Sequence, residues 1–230
     1  MTKERIRKVY GRRQGRPLRG DRQEALDVLY PKLELTPTQL KQDGSLDPKV
    51  LFRSGHRIAF EIGFGNGEFL RNNMVNHPET GFIGAEPFVN GVSAFLKSIK
   101  DDEHDNVRVF MDDAMIIGKS LQDNSVDEMY VLNPDPWHKS RHHKRRMICQ
   151  TNLDVFSRIL KSGGTLIMTT DVDELAEWMC TQASHHPDFE WSAQCSDDWR
   201  VMPKDWYQTR YELKGKDAGR TQSYLLFKRK

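Results

Sequence analysis

The chain has 230 residues, a formal net charge of +2 and 30% charged residues, which suits one domain with a sizeable core. No stretch has the length and apolarity of a membrane span, and the basic N-terminus has no apolar segment behind it, so neither a membrane anchor nor a signal peptide is expected. Three cysteines, Cys149, Cys180 and Cys195, are widely spaced and odd in number; they fit a reducing compartment, with the cytosol as default, and neither a disulfide framework nor a zinc cluster.

The small net charge hides an asymmetry. Residues 1–22 carry nine Lys or Arg against two acids, a local +7 that leaves −5 for the rest. With Gly11, Gly15, Pro17 and Gly20 and few large apolar residues, residues 1–25 read as a flexible basic arm on a single domain spanning 26–230. A basic arm on a mildly acidic body points to nucleic acid; a solubilising tail is the competing reading.

Beyond the arm, Leu26–Leu40 carries Pro31 and Pro37, which argue against one long helix, and Asp47–Gly55 reads as a short helix or loop. Ile58, Phe60 and Ile62 mark a strand that runs into the glycine turn 63–67, and Phe69, Leu70 and Met74 then share one helical face. A second strand, Thr80–Ala85, ends at Glu86, and Val89, Val92, Phe95, Leu96 and Ile99 follow at helical spacing. Val107–Phe110 is a third strand, followed by Asp112-Asp113 and a helix through Met115, Ile116 and Leu121. A fourth strand, Met129–Leu132, leads to a helix over Ile148–Leu160 that closes at Lys161-Ser162-Gly163-Gly164. Thr165–Thr169 is a fifth strand ending at Asp171, with a helix near Glu174–Cys180. After Pro187 the pattern weakens until Ser223–Phe227, a last strand expected to run antiparallel. Strands alternating with helices predict an α/β fold with a doubly wound parallel sheet.

The chemistry concentrates in residues 126–146, VDEMYVLNPDPWHKSRHHKRR. Two prolines flank Asp135 and hold it on a stiff, non-helical turn at the C-terminal end of a buried strand, where open α/β sheets bind ligands. Lys139, Arg141, Lys144, Arg145 and Arg146 follow, with His138, His142 and His143 interleaved. A rigid acid before a dense cationic run describes an acidic reaction centre facing a polyanion; the bland alternative is a solvated basic helix start. Trp137 reads equally as a stacking platform for a splayed base or as a core or hinge residue. His142 and His143 lack a cysteine or a second pair at ligand spacing, and no metal is expected.

The turn Glu61-Ile62-Gly63-Phe64-Gly65-Asn66-Gly67 admits close approach of a ligand, with Gly63 and Gly65 at the strand-to-helix junction. A dinucleotide fingerprint needs a small residue where Glu68 stands, and a carboxylate there would repel a pyrophosphate. Glu86 follows Gly67 by 19 residues, close to where a ribose-binding acid belongs. The ligand therefore reads as a nucleoside without phosphates, and S-adenosylmethionine fits: Glu61 near its methionine moiety, Glu86 on the ribose and Asp113 on the adenine amine. An NAD-dependent oxidoreductase, a non-catalytic basic RNA-binding protein, and a SAM-dependent methyltransferase acting on another RNA, on small molecules or on proteins are the rival readings.

These motifs together resemble the bacterial tRNA (guanine-N7)-methyltransferases: EIGFGNG, the acid of GAEP, DDA at 112–114, PDPWHK, RHHKRR, TTD at 169–171 and TRYE at 209–212. The resemblance implies a seven-stranded class I SAM-dependent methyltransferase domain acting on guanine N7 at position 46 in the variable loop of tRNA, with S-adenosylhomocysteine as by-product. It implies tRNA as partner, in a monomer or homodimer with no obligate protein partner. By resemblance Glu61, Glu86, Asp113 and Asp135 line the cofactor site, with Asp135 as active-site residue. Lys139, Asp171, Thr209, Arg210, Tyr211 and Glu212 would contact substrate. Arg141, Lys144, Arg145 and Arg146 are expected on RNA phosphates. Asn133 stands where the family commonly has an aromatic and His138 where proline is frequent; the first departure implies looser packing behind Asp135.

Overall fold

The computed structural model describes residues 10–52, 57–102 and 104–230. The first nine residues, including Lys3, Arg5, Arg7 and Lys8 of the expected arm, lie outside them, as do residues 53–55 of the expected 47–55 segment. Seven strands form one sheet in the order β3-β2-β1-β4-β5-β7-β6: β1 Arg57–Ile62, β2 Thr80–Ala85, β3 Val107–Phe110, β4 Val126–Leu132, β5 Leu160–Thr170, β6 Phe189–Trp191 and β7 Ser223–Arg229. The first five are parallel; β7 runs antiparallel to β5, as expected, and β6 antiparallel to β7.

Apolar side chains pack both faces, as a sheet covered by crossover helices requires. On one side α1 (Asp21–Leu33), α2 (Glu68–Asn76) and α3 (Val89–Ser98) bury Leu29, Leu70, Met74, Phe95 and Leu96 against Ala59, Phe82 and Val109. On the other, α4 (Ala114–Ser120), α5 (Gln150–Ile159) and α6 (Asp173–Ser184) bury Ile117, Phe156 and Met179 against Phe60, Met129 and Leu166. The strand order reverses between β1 and β4, so their carboxyl ends diverge and open a crevice.

Two local readings change, and the absence of one long helix over 26–40 holds, since α1 stops at Leu33. Gly163-Gly164 do not stop a helix: α5 ends at Ile159, and Leu160 already pairs with Val126. Both glycines lie in an irregular stretch of β5, where the register jumps from Val126–Leu160 to Glu128–Thr165 and Gly163 has φ +77°. Pro31 sits inside α1, near its end, where a missing N–H costs one bond only and Leu33 closes the helix. The edge strand β6 went unread because its three residues are too short to show alternation. Among the described residues no helix is long and apolar enough to cross a membrane.

Candidate active site

Each parallel strand delivers an acid to the same edge of the sheet. Glu61 is the penultimate residue of β1, Glu86 follows β2, Asp113 lies just past β3, Asp135 just past β4 and Asp171 directly after β5. Two cavities open there. The first, about 330 Å³, is bounded by Glu86, Asp113, Asp135, Trp137 and Arg145. The second, about 370 Å³, is bounded by Glu61, Phe69, Thr209, Arg210 and Tyr211. Both are lined by Gly63, Gly65, Leu132 and Asn133, so the glycine turn and the end of β4 are their common wall.

The turn takes its shape from φ values of +74°, +57° and +71° at Gly63, Gly65 and Gly67, a region that side chains disfavour. Glu86 holds it closed: one carboxylate oxygen accepts the N–H of Gly65 and the other that of Phe88, both at 2.8 Å. Burial raises the Glu86 pKa, and the two backbone donors oppose that rise. Asp113 caps α4, its carboxylate accepting the Met115 N–H at 3.0 Å. Glu61 is buried, and none of the described residues donates a hydrogen bond to its carboxyl. Burial, with the charge of Glu86 adding, pushes its pKa up to about 8.

Asp135 is exposed at the mouth of the first cavity, and no described donor reaches it. Its turn is clamped. Asn133 and Trp137, on either side, have φ +46° and +47°. Asn is among the residues that tolerate this region, whereas an aromatic is not. The Asn133 N–H donates to Thr169 at 2.9 Å, and its side-chain oxygen accepts from Gln222 at 2.8 Å. The turn behind Asp135 is therefore tied down, contrary to the looser packing expected. Trp137 lines the cavity half-buried, with Tyr10, His142 and Arg145 against its ring.

The cationic run divides. Lys139, Arg141 and Lys144 are exposed on a 3-10 turn, Ser140–Arg145 and its N-cap, with no ion pair among the described residues. Arg145 lies between the rings of Tyr10 and Trp137, 4.6 and 4.9 Å from their centroids, on the cavity wall. Arg146 turns inward instead: its side chain is 1% exposed, and it bonds Glu174 and the Pro136 carbonyl, so it has no access to a phosphate here.

After a short α7 (Asp197–Arg200), the distal segment forms α8 (Arg210–Asp217), begun by a reciprocal cap between Thr209 and Glu212. Glu212 is buried and also accepts from Trp206 at 3.2 Å. Arg210 binds Glu68. That pairing answers the Glu68 charge, so the acid does not by itself repel an anion from the turn. Tyr211 is exposed at the second cavity. Asp171 borders neither cavity; it is buried and accepts from Arg220 at 2.7 Å and from the Tyr211 hydroxyl at 3.4 Å.

Sequence reasoning missed Tyr10, Asp112 and Arg220. Residues 10–16 run over the first cavity: Arg13 pairs with Asp112, its carbonyl accepts the Val89 N–H, and the Gly15 N–H donates to Asn90. The available signal was a single aromatic in an otherwise charged arm. Arg220 carried none, since its partner is 49 residues away.

The comparisons agree with this geometry. Residues 56–225 match a family described as “Putative methyltransferase”. The tRNA (guanine-N(7)-)-methyltransferase of Rhodospirillum rubrum is 42% identical over 224 residues, 97% of this chain and 88% of its own length. That of Agrobacterium fabrum is 39% identical over 235 residues and the match covers both chains fully. Among solved structures, an antibiotic-related methyltransferase aligns with TM-score 0.50 at 16% identity over 78% of this chain and 90% of its own. The antibiotic-resistance methyltransferase Kmr aligns with TM-score 0.51 at 16% identity over 76% and 88%. At that identity these two speak for the fold, which is that of the class I SAM-dependent methyltransferases. The chain belongs to the family of tRNA (guanine-N7)-methyltransferases.

Proposed function

We propose that this protein transfers the methyl group of S-adenosylmethionine to N7 of guanine in tRNA, at position 46 of the variable loop. The observation that carries the reading is the shared cleft: a proline-clamped carboxylate, Asp135, opens onto the cavity that meets the glycine turn, with exposed cations on the turn beside it. The residues fit the cofactor. Glu61, buried beside the turn with no donor among the described residues, suits a cationic amino group. Glu86 and Asp113 lie on the other side of the turn, where carboxylates suit ribose hydroxyls and the adenine amine.

When bound, the cofactor supplies a methyl group on a positively charged sulfur. Guanine N7 carries a free lone pair, so no residue has to remove a proton before attack; the leaving sulfur takes the bonding pair and the ring takes the positive charge. The chain's task is orientation, worth roughly 7–11 kcal/mol when reacting atoms are held in line. Asp135 accepts hydrogen bonds from guanine N1–H and the exocyclic amine, which selects the base and offsets the charge gained. Trp137 offers its ring to the splayed base. Lys139, Arg141 and Lys144 take phosphates. Thr209–Glu212 act on the far side of the cleft, Arg210 and Tyr211 toward the RNA and the capped Thr209 and Glu212 by holding α8, while Asp171 acts from behind, through the Tyr211 hydroxyl. The same surfaces in a non-catalytic RNA-binding protein would leave the acids around the glycine turn without use. Incubation with tRNA and methyl-labelled S-adenosylmethionine tests the proposal: label enters tRNA if it holds, and tRNA that binds without becoming labelled refutes it.

A further inference from the structure

Arg146 is a buried cation, the last residue of RHHKRR, and the proposed chemistry makes no direct use of it. Its guanidinium joins three pieces of chain. The Nε–H donates to the Pro136 carbonyl at 2.9 Å, Nη2 bridges both Glu174 carboxylate oxygens at 2.8 and 2.9 Å, and Cζ lies over the Trp178 ring, 4.9 Å from its centroid. Glu174 and Trp178 both lie on α6, and the Trp178 indole is pinned to the Ile148 carbonyl at 2.7 Å. Arg146 thus ties a rigid helix to the peptide that follows Asp135.

That peptide needs holding. It leads into Trp137, a bulky residue in the left-handed region with φ +47°. At the other end of the turn Asn133 is fixed by Thr169 and Gln222. Between these anchors only prolines and Asp135 remain, and prolines have no N–H with which to fix themselves. Optimising stability alone would not choose this arrangement. Nη1 is buried with no acceptor among the described residues, and an apolar side chain of similar length would fill the same space without desolvating a charge. A planar fork that serves a carbonyl and a carboxylate at once is what only arginine supplies.

We infer that Arg146 is a positioning residue for methyl transfer: through the Pro136 carbonyl it sets the direction of the Asp135 carboxylate. The inference rests on the proposed function of the same site. It separates Arg146 from Arg141 and Lys144 of the same run, to which the proposed function gives phosphates.

The test compares full-length wild type with Arg146→Met and Arg146→Lys. Met keeps the stem against Trp178 and removes every donor; Glu174, 52% exposed, can be hydrated, so the variant should fold. Arg146→Met should lower kcat about 10²-fold, the cost of a small misplacement of a reacting group, with cofactor affinity unchanged. Arg146→Lys should fall between, since one nitrogen cannot satisfy both partners. The slope of log affinity for tRNA against log salt should match wild type, because the variant keeps every cation that meets a phosphate. Amide hydrogen exchange should accelerate at Trp137–Arg145 in Arg146→Met and stay as in wild type on β1 and β2, a readout independent of activity. Unchanged exchange there, a wild-type kcat, a shallower salt slope, or a kcat loss that disappears on cooling in step with the folded fraction would each overturn the inference. A wild-type protein that leaves tRNA unlabelled would instead refute the proposed function, and the exchange measurement would still decide the role of Arg146.

Discussion

Glu68, the first residue of α2, holds Arg210, the first residue of α8, across 142 positions of sequence: its carboxylate accepts the Arg210 backbone N–H at 2.7 Å and pairs with the guanidinium beside it. One acid therefore ties the glycine-turn helix to the segment that walls the second cavity, and places negative charge at the N-terminus of α8, where it is favoured. Glu68→Ala should loosen α8, raising KM for tRNA several-fold. Stability should change by less than about 1 kcal/mol, because Arg210 is 77% exposed. Steady-state kinetics with a thermal melt check this; an unchanged KM would show that the tether is idle.

Glu61 makes the unliganded protein sensitive to pH. Its pKa in the folded state is pushed to about 8, whereas the unfolded chain releases that proton near the usual 4.5. Between those values the folded state binds more protons, so the stability linked to Glu61 is full below about 4.5 and is lost as pH rises through about 8. Glu61→Gln cannot ionise and should flatten this dependence, melting progressively higher than wild type toward pH 8. A cofactor whose amino group pairs with the ionised carboxylate must also expel the proton. Calorimetric binding of S-adenosylmethionine to wild type at neutral pH should vary with buffer ionisation enthalpy, and that to Glu61→Gln should not. No buffer dependence in wild type would contradict the pairing.

Lys139, Arg141 and Lys144 predict a steep salt response. Removing one cation from a phosphate should lower the slope of log affinity against log salt by about 0.7–0.9. The triple alanine variant should therefore lose about two to three units of slope. Titration of tRNA binding from low to physiological salt reads this directly, and a slope equal to that of wild type would remove these side chains from the interface.

Asp171 and Arg220 form a lopsided pair, with side chains 3% and 46% exposed. Arg220→Ala strands a buried carboxylate and should cost about 3 kcal/mol. Asp171→Ala leaves an arginine that water can reach and should cost about 1 kcal/mol. Denaturant melts of both variants check the order; equal losses would mean that Asp171 is hydrated by another route.

The alternation of elements, the glycine turn and the strand-end acids were legible because each depends on local signals: apolar period, glycine, proline. Even the Asn133 departure makes sense locally once its φ is known, since the residue is chosen by backbone conformation as much as by packing. What stayed hidden depends on partners distant in sequence. RHHKRR reads as one charge run, yet Arg141 faces solvent and Arg146 the interior, because Glu174 and Trp178 lie on a helix whose approach the run itself does not encode. Glu68 reads as repelling a ligand until Arg210 is seen beside it. Gly163-Gly164 carry the composition of a helix stop and serve instead in an irregular strand pairing.

The proposed methyl transfer rests most on Asp135 acting on guanine from the rim of the cleft. The direct measurement is nucleoside analysis of tRNA incubated with S-adenosylmethionine and either wild type or Asp135→Asn, alongside the cofactor affinity of each. The expected result is 7-methylguanosine from wild type, a rate reduced about 10²–10³-fold in the variant, and nearly equal cofactor binding. Near-normal 7-methylguanosine formation by Asp135→Asn would contradict that role.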